Sequence, residues 1–234
     1  HMSFNIVNTT LLIWFVGQIA KVVTHMVPVR SDEDEQFSLD YIGMGIMSTP
    51  ELSILEAQKE LVKYAEITHR MLGFLKELLY EKDKKEQKAL IARIEKYEQI
   101  TDRVEVEVSD YLLTVSQGEI STAASIRVRS MLNIVSELEK VGDVFYQMGR
   151  TFERKINTKA WFTPEQRNHI QALIELLESA FENLEQNLES RYEDIDLNAA
   201  KAIENNINRL RDQIRKDHLD EMEKASYKID SGVI

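Results

Sequence analysis

Cysteine is absent from the 234 residues. That excludes disulfides, thiolate metal sites, iron–sulfur clusters and cysteine nucleophiles. Proline occurs three times and glycine eight times. So few turn-makers exclude a sandwich or barrel of many short strands and imply long, uninterrupted elements. Positive charge is also short: 29 Lys and Arg stand against 40 Asp and Glu, a net charge of −11. No basic stripe is available to follow a phosphate backbone, which argues against a general nucleic-acid binder, and no nucleic-acid partner is expected; cations suit the chain better. A Gly-rich phosphate loop and a G-x-S-x-G elbow are missing too. The apolar share is 43%, that of a chain with a core rather than a disordered acidic tail.

What is present divides into four stretches. The chain opens His1-Met2, which reads as a cloning scar on a piece of a longer protein. From Met2 to Ala20 no residue is charged, and Phe4, Leu11, Leu12, Trp14 and Phe15 make the run strongly apolar. Its length approaches the roughly 20 residues that cross a bilayer. Residues 1–29 are therefore expected to be the end of a membrane-domain helix, or else an amphipathic N-terminal helix on the core. Lys21 and Arg30 on its C-terminal side favour a cytoplasmic place for the remainder of the chain. Residues 30–49, with the Asp32–Glu35 run, Gly43 and Gly45, read as an acidic linker. Residues 50–160 and 161–234 then show helical period almost throughout.

Thr49-Pro50-Glu51 starts the first of these helices, with Leu61, Thr68, Leu72, Leu75 and Leu79 on one face. A second helix carries the seam Leu90, Ile94, Tyr97, Thr101, Val104, Val108, Tyr111 and Val115, with steps alternating four and three. The third repeats it through Ala124, Val128, Met131, Val135, Leu138, Gly142, Phe145, Gly149, Phe152 and Ile156. Thr163-Pro164-Glu165 caps a fourth, carried by Ile170, Leu173, Leu177, Phe181, Leu184 and Leu188. A fifth runs from Leu197 to about Tyr227. The expected fold is an all-α antiparallel helical bundle.

One arrangement of acids recurs beside these seams. Glu98 and Asp102 directly follow Tyr97 and Thr101, and Glu139 and Asp143 directly follow Leu138 and Gly142. Spacing of four places each pair on one helical face. Antiparallel packing is expected to bring Glu98 toward Glu139, with Asp102 and Asp143 beside them. Carboxylates gathered this way repel unless a cation sits among them. Mg2+, Mn2+ or Ca2+ take such oxygen ligands, and iron can as well. The bland alternative is a set of solvated acids paired with Lys96, Arg103, Lys140 and Arg154. Glu204 and Asn208 repeat the register in the fifth helix. The step from Glu98 to Glu204, applied to Glu139, falls beyond Ile234. The pattern is a three-helix unit repeated, with the second copy lacking its last helix.

At these residues the chain resembles the PhoU family. Glu98-Gln99-Ile100-Thr101-Asp102 matches its E-x-x-x-D motif, and Glu137-Leu138-Glu139-Lys140-Val141-Gly142-Asp143 is similar to its third-helix stretch. The resemblance covers about residues 50–234. It implies tandem three-helix units and a regulatory, metal-binding role, with Glu98, Asp102, Glu139, Asp143 and Glu204 as metal ligands. The apolar start and Ser48-Thr49-Pro50-Glu51-Leu52 resemble the junction in bacterial sodium/phosphate cotransporters. That resemblance implies a domain on the cytoplasmic side of the inner membrane. Its partner would be the membrane domain of the same transporter, which would itself handle phosphate and sodium. Two departures stand out: Asn208 replaces an acid, and the final helix is missing. Unburied apolar faces on the last two helices leave room for a homo-oligomer.

Three function classes compete. The leading one is a non-enzymatic regulatory domain that binds a divalent cation. The second is a helical interaction scaffold or dimerisation module without metal. The third, a di-iron enzyme, needs Glu-x-x-His motifs. Of His1, His25, His69, His169 and His218, only His69 stands three residues after a glutamate, Glu66; such a site takes two of these motifs, so an enzyme is not expected.

Overall fold

The computed structural model describes residues 39–42, 49–190, 194–195 and 197–223. The described residues form five helices: α1 (Pro50–Tyr80), α2 (Lys84–Ser116), α3 (Thr122–Thr158), α4 (Pro164–Glu189) and α5 (Leu197–Glu223). The expected membrane or amphipathic helix in residues 1–29 lies outside the described residues, as does most of the 30–49 linker. Among the described residues no helix is long and apolar enough to cross a membrane.

Local signals set most helix boundaries. Pro50 sits in the first turn of α1, although Thr49 makes no side-chain cap. Asp83 caps α2 by accepting from the backbone N–H groups of Lys85 and Glu86. Ser121 caps α3 by accepting from Ala124. Thr163 and Gln166 close a reciprocal capping box at α4. The C-terminus of α3 is closed by Lys159 in the left-handed region, φ 56°, a place that glycine usually fills.

Helix α1 is the hub. It packs against α2, α3 and α4; α2 packs on α3, and α5 packs on α4. Accordingly α1 is buried on several sides, with Leu61, Tyr64, Met71, Leu72, Leu75, Leu78 and Leu79 fully enclosed. The expected stripe Leu61, Thr68, Leu72, Leu75 and Leu79 is buried throughout. Its junction with α4 is partly polar. Lys76 pairs with Glu178 at 2.8 Å, and His69 meets Glu185 at 2.9 Å while stacking on Phe181.

Three seam assignments shift. Leu112 is buried in place of Tyr111, because a helix of 3.6 residues per turn drifts against a strict 3.5 repeat. Lys155 is buried in place of Ile156. Its stem lies in the core and its ammonium sits 4.8 Å from the Phe162 ring centroid. On α4, Ile174 is buried while Leu173 and Leu177 are half-buried. The helix divides its apolar residues between α1 and a groove shared with α5.

The described part of the expected linker is anchored. Ile42 is buried, the Tyr41 N–H donates to the buried Glu60 carboxylate, and Asp40 pairs with Lys63.

Candidate metal centre

Two glycines fix how α2 and α3 meet. A Cβ on Gly142 would lie 3.1 Å from Thr101 Oγ1, and one on Gly149 would lie 3.1 Å from Ile94 Cγ2. Both contacts describe one antiparallel register. The absence of a side chain at each position lets the helices approach closely. Thr101 is itself buried, and its hydroxyl donates to the Glu98 carbonyl at 2.7 Å.

This register orders the acids along the seam. Level for level, Asp143 falls between Glu98 and Asp102, and Glu139 falls between Asp102 and Glu105. The expected meeting of Glu98 with Glu139 is therefore corrected. Glu98, Asp102 and Asp143 come together, each offering a carboxylate oxygen within 4.8 Å of the others. Glu139 stands one level further on and interacts with Asp143 and Asp102. Glu105, which the motif spacing did not select, acts on Glu139 as well. It stands seven residues after Glu98 and so shares its face, the one signal that could have found it.

The electrostatics show strain of one sign. Burial raises the carboxyl pKa of Glu98, and the charges of Asp102 and Asp143 raise it further. Burial and Asp143 do the same to Asp102. Burial, Asp143, Asp102 and Glu105 raise Glu139, opposed weakly by Lys140. Of the adjoining basic residues, Arg103 pairs with Glu107 at 3.8 Å and Lys140 with Glu137 at 2.7 Å.

The donor set fits a hard divalent cation. All donors are carboxylate oxygens. Two oxygens on opposite sides of an ion with 2.3–2.6 Å bonds are roughly 4.6–5.2 Å apart, and the 4.8 Å span lies in that range. A smaller ion needs only a slight contraction. Glu204 stands apart. It is exposed on α5, which packs on α4, and it joins no group of three acids or histidines among the described residues.

Helix α1 supplies a further neighbour. Tyr64 is fully buried and its hydroxyl has no hydrogen-bond partner. Burial raises its pKa far above the ordinary value, and Glu139, Glu105, Asp102 and Asp143 add to the rise. No sequence signal singled it out, since a tyrosine on an apolar stripe reads as core.

Comparison with known proteins bears on the fold. Residues 61–151 match the family model of the PhoU domain. The match contains Tyr64, Glu98, Asp102, Glu139 and Asp143 and ends before Glu204. The helices form an all-α, PhoU-like bundle. The chain is 20% identical over 181 residues to YjbB of Salmonella typhimurium, to which inorganic phosphate export is ascribed. It is 18% identical over the same length to the Escherichia coli protein of that name. Each alignment covers 76% of this chain and 32% of the relative, so the chain spans about a third of the length of these relatives. No solved structure matches.

Proposed function

We propose that this chain is a non-catalytic regulatory module that binds a divalent cation and serves a membrane phosphate transporter. One observation carries the reading. Three carboxylates from two helices converge within 4.8 Å, inside the segment that matches the PhoU domain. The phosphate-export function ascribed to the relatives supports the link to phosphate transport. In the full reading the transporter is sodium-coupled and sits in the inner membrane of a bacterium. Its membrane part handles phosphate and sodium, and this module lies on the cytoplasmic side. Glu98, Asp102 and Asp143 would hold Mg2+, Mn2+, Ca2+ or iron, with Glu139 as a further donor. The cation would neutralise repelling charges and bridge α2 to α3.

Calorimetric titration of each cation into the native chain and a Glu139→Ala/Asp143→Ala double variant tests this. Micromolar or tighter uptake by the native chain alone is expected. Identical heats in both proteins would remove the metal claim.

A second reading, an interaction or dimerisation module, is favoured by the groove between α4 and α5. Its volume is about 540 Å³ and its walls include Leu173, Leu177, Ile207 and Ile214. Sedimentation equilibrium separates the readings. A dimer indifferent to chelators would support the second, and a chelator-sensitive monomer the first.

A further inference from the structure

A buried hydroxyl ordinarily has a partner. The two buried threonines near the site obey this rule: Thr68 donates to the Tyr64 carbonyl at 3.0 Å, and Thr101 to the Glu98 carbonyl at 2.7 Å. Tyr64 does not obey it. Its side chain is wholly enclosed where α1 packs on both α2 and α3. Its strongest electrostatic neighbours are four acids of the α2–α3 seam, with Glu139 foremost. A donor without an acceptor therefore lies beside a cluster rich in acceptors. A neutral phenol can donate one hydrogen bond to a carboxylate without changing the charge of either.

Mutual repulsion explains why that bond is unmade. Moving the Glu139 carboxylate inward, toward Tyr64, takes it further out of water while Asp143 and Asp102 already act on it. That move is unfavourable while those acids are uncompensated. A divalent cation among Glu98, Asp102 and Asp143 cancels two of their three negative charges and attracts any further carboxylate that can reach it. The inward position of Glu139 then becomes favourable, and the phenol is the donor waiting there.

We propose that Tyr64 is the positioning residue of this carboxylate cluster: once a divalent cation is bound, its buried hydroxyl donates to Glu139 and turns that carboxylate toward the ion. The inference rests on the cation-binding reading above and adds a role for α1. Hydrogen-bond partners of this kind orient a ligating group and raise metal affinity. The same bond ties α1 to α3, so cation uptake tightens the contact among all three helices.

The test uses Tyr64→Phe in the full chain, with Mn2+ as the probe. Phenylalanine keeps the ring and removes only the hydroxyl. Two measurements are made: thermal unfolding in EDTA and calorimetric Mn2+ affinity. In EDTA the variant is expected to melt at or above the native temperature, because an unpartnered buried hydroxyl has been removed. Its Mn2+ affinity is expected to fall about tenfold. In a Glu139→Ala background the same substitution is expected to cause no further loss, since donor and acceptor act as one pair. A plain structural role predicts the reverse, a lower melting temperature in EDTA and unchanged affinity. Equal Mn2+ affinity in native and Tyr64→Phe chains overturns the role of Tyr64 and leaves the cation site standing. Absence of Mn2+ uptake by the native chain overturns both.

Discussion

Replacing Asp143 with asparagine separates a cation site from a solvated acidic face. Asp143 acts on Glu98, Asp102 and Glu139 alike, and lies within 4.8 Å of the first two. Two unit charges at that distance repel by about 0.9 kcal/mol with the dielectric of water. Water is the appropriate medium because these side chains are partly exposed. Physiological salt, with a screening length of about 8 Å, reduces this by roughly half. Losing two such pairs then relieves about 1 kcal/mol, which raises the melting temperature of a domain this size by about 2–4 °C in EDTA. With cation the order inverts. At a free concentration one hundred times Kd the native chain gains about 2.7 kcal/mol, whereas a variant binding one hundred times more weakly gains only about 0.4 kcal/mol. Differential scanning fluorimetry in EDTA and in Mn2+ or Ca2+ reads both arms. A variant less stable than native in EDTA, or equally stabilised by cation, would refute the reasoning.

Three further outcomes are expected. The raised carboxyl pKa values of Glu98, Asp102 and Glu139 fix the sign of a pH effect. The folded chain holds protons more tightly than the unfolded one. Without cation, the cluster's contribution to stability is fully present below the unfolded values near 4 and is lost as pH rises through the higher folded values. The urea midpoint of native minus Asp143→Asn should therefore grow more positive on acidification from pH 7.5 to 5; a flat difference would count against it. Gly142→Ala pushes a methyl onto Thr101, whose hydroxyl is already bound to a carbonyl. Overpacking of about 1–3 kcal/mol outweighs the roughly 1 kcal/mol gain in helix propensity, so chemical denaturation should show a net loss of about 1 kcal/mol and weaker cation binding. Lys159→Gly relieves the left-handed backbone at the end of α3 and should stabilise by about 1 kcal/mol without touching cation affinity.

Much of the fold was legible because its signals are local. The Thr163-Pro164-Glu165 start of α4 and the α1 stripe need nothing beyond the neighbouring turns. Where the pattern shifted, distant groups decided. Tyr111 yields to Leu112 through helical drift, and Lys155 displaces Ile156 because Phe162, on the following connection, receives its ammonium. The site was legible as residue types and spacing but not as pairing. Heptad lettering placed Glu98 opposite Glu139. The actual register depends on which residues let two helices close, and Gly142 against Thr101 sets it. Tyr64 lies on a third helix, and no pattern in α2 or α3 could point to it.

The chain has 40 acids, and helical geometry decides which of them matter. Successive residues on a helix point about 100° apart. Arg103 and Lys140 directly follow Asp102 and Glu139 in sequence, yet they reach Glu107 and Glu137 instead. Each of these pairs runs along a single helix. The cluster of Glu98, Asp102 and Asp143 lies between α2 and α3, where a bound cation would stabilise the folded chain by an amount that grows with the logarithm of its affinity. Linkage makes that relation reciprocal. On the proposed cation binding, any partner that spreads α2 from α3 would weaken the cation, and the cation would weaken that partner by the same factor. The proposed module would then report a change in helix spacing as a change in cation affinity.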